Sequence, residues 1–445
     1  MAGAETPHHH GDHRRLVWKA DDSSPQAKVD AIIVPTARPV AYLKDAAAAA
    51  LSLGCPLVTL HSQKWTSAHE AFRYLGQSID LIAIDLPEAG ELRLPPLETT
   101  RLLAGTSFQR RTDVSTKRNL ALVLGQSLGW ERVVFLDDDI RVPNPADLRT
   151  AAGLLDTHTA VGLRIGGFPD NSMVCHAFRQ AGGRQAAFVG GGALAVEVKR
   201  NRSFFPNVYN EDWFYLLDAE KRLRSVATVG QVLQYPYDPY LPERARNDEF
   251  GDVLAEGTFW LLDQGKTVAD GDLAHWRDFL VERRRFIEQV RAMVGTSADI
   301  EPQEQRRMML ALTAALGRLR LITPQLCVDY LHAWAADQSR WQRHLQGVPC
   351  QPHQSTESAL RSLARKGGAR LAWCTSQGCS VPLPAARPGR PRTMPWLGPW
   401  RPGDHQPPLP SPDLVPRDPR PAGPGPATSV QDRHGPGPRV AGERL

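Results

Sequence analysis

The sequence predicts an α/β fold with a mainly parallel central sheet, followed by a helical region and a tail of different composition. Three observations predict it. Short apolar runs alternate with helix-patterned stretches from position 29 to 87, the signature of successive βαβ units. The run "RVVFL" at 132–136 passes directly into three carboxylates, Asp137, Asp138 and Asp139, and an open α/β sheet collects ligands at the carboxyl ends of its strands. From 249 to 350 the pattern turns amphipathic and helical, as in "DLAHWRDFLVERRRFIEQVRAMVG" and "QEQRRMMLALTAALGRLRLI".

Taken in order, residues 1–27 are polar and read as a disordered lead-in. "VDAIIVPTARP" is a buried strand ending in a Pro/Thr turn, and "VAYLKDAAAAALSLG" is a helix closed by Gly54. "CPLVTLHS" and "IDLIAIDLP" are further strands, with the helix "AHEAFRYLGQS" between them. "DVSTKRNLALVLGQSLGW" is a helix with Leu120, Leu124 and Leu128 on one face, leading to the acidic strand. "AVGLRIGGFPD", "QAAFVGGGALAVEV" and "VATVGQVLQYPY" read as strands. These patterns divide the chain into the lead-in, an α/β body at 28–248, a helical extension at 249–380 and a tail at 381–445.

The tail holds 18 of the 37 prolines, with few apolar residues. It cannot bury enough surface to offset its ordering entropy, so disorder is expected. A Pro-rich linker or ligand and an out-of-frame translation of GC-rich coding sequence both fit this composition. Its nine Arg against five acids carry four of the net five positive charges. The body is therefore close to neutral and offers no basic stripe for nucleic acid. No run of 18 apolar residues exists, and the N-terminus lacks the apolar core of a signal peptide. A cytoplasmic location is expected. Six scattered cysteines without a CxxC pair read as reduced, mostly structural thiols. His8, His9, His10 and His13 form only a compositional hint of metal binding. His158 and His176 read as isolated.

Three adjoining carboxylates repel one another and lose solvation, so positive charge should sit among them. Carboxylates two residues apart on a turn can face one hard divalent cation, which keeps open positions for phosphate oxygens. A solvated acidic turn is the structural alternative. Arg118, flanked by Lys117 and Asn119, opens the preceding helix, where it can meet a phosphate or make ordinary surface pairs. Thr36 and Arg38 stand at the same rim, on a segment that also fits plain turn chemistry. Gly190, Gly191 and Gly192 permit close backbone approach to a ligand or simply a bulge; they do not make a dinucleotide fingerprint. Asn210, Glu211, Asp212 and Trp213 supply two acids beside aromatics, suited to a general base near an apolar wall, or to a helix cap.

The order strand-PTARP, KRN-helix, strand-DDD, GGG and NED-W resembles that of nucleotide-sugar-dependent glycosyltransferases of the GT-A fold, most of all the broad family 2 group. The resemblance covers roughly 29–240. It implies Asp139 and Asp137 as Mn2+ or Mg2+ ligands, and Thr36, Arg38, Arg118, Asp137, Asp138, Gly191 and Gly192 as donor-binding residues. It further implies Asp212 or Glu211 as the base that deprotonates an acceptor hydroxyl, with Trp213 and Asn210 near the acceptor. The family often places a base-binding acid after its second strand; here stand His61 and Ser62, and Asp85 after the third strand is the substitute. The QxxRW signature and membrane helices of processive synthases are absent, so the expectation is inverting, non-processive transfer to an unknown acceptor. The helical region offers a surface for a protein partner. Two other readings stand beside this one: a nucleotidyltransferase that forms nucleotide-sugars, which lacks its usual Gly-rich loop here, and an inactive GT-A-like scaffold. A two-metal phosphohydrolase would need a His/Asp cluster that is not legible.

Overall fold

The computed structural model describes residues 13–21, 24–62, 66–76, 78–87, 91–168, 172–185, 189–200, 202–218, 220, 222–351, 354–364 and 371–381. The expected tail, beyond Val381, lies outside the described residues, as do His8, His9 and His10. Within the expected lead-in, a 3-10 turn at Arg14–Leu16 and the short strand β1 (Trp18–Lys19) are formed; β1 pairs in parallel at the sheet edge.

The alternating region folds as the periodicity suggests. β2 (Ala31–Thr36), α1 (Lys44–Leu53), β3 (Leu57–His61), α2 (Ala68–Leu75) and β4 (Leu81–Asp85) follow in order, and β2, β3 and β4 are parallel neighbours. Gly54 closes α1 with φ 67, a left-handed conformation that costs glycine little. The side chain of Ser67 caps α2 by accepting from the Glu70 N–H. α3 (Glu98–Leu103) and α4 (Val114–Leu128) lead to β5 (Arg132–Leu136), which lies parallel to β2. Then come β6 (Ile140–Arg141), α5 (Ala146–Leu154), β7 (Ala160–Gly167), α6 (Met173–Gln180), β8 (Ala193–Glu197), α7 (Glu211–Tyr215) and β9 (Val226–Gln234). Five helices follow: α8 (Pro242–Asp263), α9 (Leu273–Thr296), α10 (Pro302–Leu319), α11 (Pro324–Gln346) and α12 (Thr356–Leu363). The hairpin β10 (Ala372–Thr375) and β11 (Gly378–Cys379) closes the described chain.

The strand order is β1-β9-β7-β8-β5-β2-β3-β4-β10-β11, with β6 on β9. The sheet is mixed rather than mainly parallel. β8 runs antiparallel to both β5 and β7, β6 antiparallel to β9, and β10 antiparallel to β4 and β11. Apolar runs separated by helices report strands but not their direction, and this is where the expectation fails. Both faces are covered, and successive residues enter different cores: Ile33 and Phe135 face one apolar cluster, Val34 and Leu136 the other.

The extension is helical as expected up to α12, but its boundaries differ. α8 runs unbroken across 248–249, and 372–379 is a hairpin added to the sheet. Its Cys374 and Cys379 are disulfide-bonded, which corrects the reading of all six cysteines as reduced thiols. A cross-strand pair in an unforeseen hairpin could not be seen from spacing alone. α9 buries Trp276, Phe279, Arg283, Ile287, Val290 and Val294, a one-face stripe at helical spacing. Among the described residues no helix is long and apolar enough to cross a membrane.

Candidate active site at the carboxyl end of the sheet

The three acids sit where β5 ends, and each has a cationic or polar partner. Asp138 is buried; it accepts from the Thr36 hydroxyl at 2.7 Å and from Arg38. Asp139 is buried too, with Arg38 Nη2 at 3.0 Å and Gln234 Nε2 at 3.5 Å. Asp137 accepts from Arg118 Nη2 at 2.8 Å and keeps 30% of its side chain exposed. Arginines thus supply the positive charge that the triplet demands. Burial, then the neighbouring Asp137 and Asp138, push the Asp139 carboxyl up from 3.8 to about 6, against the pull of Arg38. The same acids hold the Arg38 guanidinium above its ordinary value although burial opposes this.

The antiparallel direction of β8 assembles the site. Leu136 pairs with Ala193, and the ladder continues as the Asp137 N–H donates to the Gly192 carbonyl at 3.0 Å. The amino end of β8, with its three glycines, therefore meets the carboxyl end of β5. A parallel β8 would carry those glycines to the opposite edge. Arg118, buried on α4, joins the parts: it donates to Asp137, to the Gly191 carbonyl at 3.2 Å and to Glu211 Oε1 at 2.9 Å. A Cβ on residue 191 would lie 2.6 Å from Arg118 Nη1, and those bonds hold the guanidinium in place. Glycine is required there for close approach.

Glu211 and Asp212 open α7 but differ in their partners. Glu211 is buried and held by both Arg118 and Arg110 Nη1, the latter at 3.2 Å. Asp212 accepts from the Gly191 N–H at 2.5 Å and retains some exposed surface while ringed by protein. Burial and then Glu211 raise its carboxyl to about 6, against Arg118 and the Gly191 N–H. Asp212 thus shares with Asp139 a carboxyl held up near 6. Asn210 has φ 59, the one positive φ outside glycine among the described residues. It makes no side-chain cap; instead its Nδ2 donates to Asp252 Oδ1 at 3.0 Å. Trp213 packs on Phe259 of α8 and edge-on to His13.

Several expected contributors serve the framework. Asn119 exchanges two hydrogen bonds with the Phe205 backbone. Lys117 is buried and reaches the Thr36 carbonyl, Ser62 and Asp113, fastening α4 to the ends of β2 and β3. His61 is buried between Thr59 and Thr66, and burial pushes its imidazole down to about 3. Asp85 accepts from the Ala68 N–H at 2.7 Å and so anchors α2. Both are occupied in the framework. His158 stacks on Trp18, and His176 bonds the Tyr237 hydroxyl.

Three residues escape sequence reasoning. Arg110 comes from an irregular stretch with no pattern to single it out, and Gln234 from the end of a plain strand. Asp252 lies on α8 beside Glu249 and Glu256, and all three carboxylates surround the buried Arg283 of α9. Their i, i+3, i+7 spacing was the available signal, since acids on the buried face of a helix require a cation.

Oxygen donors at Asp137 and Asp139 suit a hard cation of the kind that takes one or two carboxylates and leaves the rest to phosphate. The acids do not form a closed three-ligand cage: among the described residues only His69, Cys374 and Cys379 converge in that way.

No family model matches the chain, and no curated protein matches it. Among solved structures it is similar to a mannosyltransferase, PcManGT from Pyrobaculum calidifontis, in complex with GDP-Man and Mn2+. That likeness has 16% identity and a TM-score of 0.40, and covers 74% of this chain and 92% of that one.

Proposed function

We propose that this protein is a nucleotide-sugar-dependent glycosyltransferase of the GT-A type, family 2-like, inverting and non-processive, that transfers a hexose to an acceptor hydroxyl. The observation that carries the reading is the Arg118 node, which ties the Asp137 carboxylate, the Gly191 turn and Glu211 into one cluster at the end of the sheet. Fold and motif order alone leave many chemistries open; a base adjoining a cation-lined acidic rim narrows them.

Asp137 and Asp139 would hold Mn2+ or Mg2+, which when bound neutralises charge on a diphosphate leaving group. The other steps belong to the chain's own side chains. Thr36 fixes Asp138, which with Arg38 is offered to the nucleotide. Arg38 can turn from Asp138 and Asp139 to phosphate oxygens once the acids have another positive partner, and Arg118 can share its Asp137-facing nitrogen with them while it keeps its bonds to Gly191 and Glu211. Gly191 and Gly192 admit the donor sugar close to the backbone. Asp212 takes the acceptor proton, while Glu211 stays paired with Arg118 and Arg110. Trp213 and Asn210 stand beside the acceptor side, and the protein acts in the cytoplasm.

The pairing of all three acids of the triplet with arginine also suits a catalytically silent scaffold, and one experiment separates the two. Nucleoside diphosphates and their sugars are titrated calorimetrically with Mn2+, with Mg2+ and with chelator, on wild type and Asp139→Asn. Metal-dependent binding of one nucleotide, lost in the variant, supports the transferase and names its donor. Absence of binding by folded protein under every condition favours the scaffold.

A further inference from the structure

We infer that His69, Cys374 and Cys379 form a thiolate–imidazole site for a borderline divalent cation such as Zn2+, open to metal when the cystine is reduced. The site lies at the β4–β10–β11 edge and shares no residue with the acidic rim.

Cys374 and Cys379 are a cross-strand pair with Cα atoms 4.0 Å apart. One ligand atom from each cysteine and one from His69 all lie within 4.8 Å of one another. In a tetrahedral zinc site, bonds of about 2.0–2.3 Å place neighbouring ligands about 3.5 Å apart. Small side-chain rotations therefore bring the three onto one ion without moving the backbone.

The positions are fixed from a single strand. Asp85, the last residue of β4, anchors the start of α2 through the Ala68 N–H, directly before His69. The same β4 carries β10 in register: Asp85 opposite Ala372, and Ala83 opposite Cys374. Ligands held by one rigid element are pre-organised. Cys374 is fully buried and Cys379 half-buried, so the ion would sit in a niche open to solvent on one side. His69 Nε2 also lies 3.4 Å from the Val381 carbonyl. Two sulfurs and one nitrogen select Zn2+ over the Mn2+ or Mg2+ expected at carboxylates. Three protein ligands leave the fourth position to water.

The chemistry balances. A dithiol reductant delivers two electrons to the cystine, giving two thiols and leaving as its own disulfide. Zn2+ then displaces two protons to solvent and one bond forms to each sulfur. A reducing compartment favours this thiol state.

Co2+ reports the site directly, because thiolate-to-cobalt charge transfer cannot arise from the acidic rim or from the N-terminal histidines. The full chain is reduced with dithiothreitol, freed of reductant without air and titrated with CoCl2. One equivalent should give a charge-transfer band that ZnCl2 bleaches and that the oxidised protein never shows. Cys374→Ser and Cys379→Ser should abolish the band. His69→Ala should weaken Co2+ binding by at least about 10-fold, since even outer-sphere partners of a metal carry that much. As a measurement independent of variants, Zn2+ should protect Cys374 and Cys379 of wild type from alkylation, read by peptide mass. No band in reduced protein, a band that survives both cysteine substitutions, unchanged affinity in His69→Ala, or alkylation indifferent to Zn2+ would each overturn the site.

Discussion

Asp139 is held ionised against its environment, so replacing it by asparagine should make the ligand-free protein more stable while disabling it. Its carboxyl is raised from 3.8 to about 6, with burial the leading cause and Arg38 only partly offsetting it. A group whose folded pKa lies above its unfolded value stabilises the fold below the unfolded value. That contribution is lost as pH rises through the folded one. The gap between 3.8 and about 6, at about 1.4 kcal/mol per tenfold, is about 3 kcal/mol at pH 8. Near pH 5 about half of it remains, because the folded carboxyl is then mostly protonated. Arg38 loses one partner in Asp139→Asn but keeps Asp138, and its side chain is 29% exposed, so its own cost is small. The assay is urea unfolding followed by tryptophan fluorescence, in chelator, at about pH 8 and about pH 5, accepted where the m values of variant and wild type agree. The variant should gain about 3 kcal/mol at the higher pH and about half that at the lower. A variant no more stable than wild type at pH 8, or a gain that does not shrink on acidification, refutes the argument that the fold holds this charge at a cost.

Gly191→Ala should lose about 1–3 kcal/mol of stability by overpacking against Arg118, and calorimetry should show weakened nucleotide binding. If Asp212 is the base, kcat/KM should rise with pH to a plateau with a midpoint near 6; Asp212→Asn should abolish that limb and lower kcat by about 100-fold or more. Arg283→Met should cost about 3–5 kcal/mol by leaving buried carboxylates without their cation, read by urea unfolding. Adding Glu249→Gln, Asp252→Asn and Glu256→Gln to it should recover much of that loss.

The alternating strands and helices of the first half were legible because apolar run length and period depend on local sequence alone. The acid triplet, the glycines and the Asn210–Trp213 stretch were legible as chemistry, and the structure brings Asp137, Gly191, Glu211 and Asp212 together. How they meet was not legible. It depends on the reversed direction of β8, which no side-chain pattern encodes. The roles of Lys117 and His61 were equally hidden, since a lysine near the start of a helix and a histidine at a strand end give no local sign of being buried. The hairpin at 372–379 escaped because four-residue and two-residue strands are shorter than any periodicity can register.

Arg283 bears on how this protein can be divided and inherited. It stands on α9, outside the α/β body, yet it pairs with three carboxylates of α8, one of which holds Asn210 in its left-handed turn immediately before the Glu211–Asp212 pair. A chain cut anywhere between α8 and Arg283 would keep every motif residue and still leave those carboxylates without their cation and without the helix that covers them. The α/β body and the α8–α9 pair must therefore travel together through any fusion or domain exchange. A homologue that lost Arg283 should have lost the acids of α8 with it.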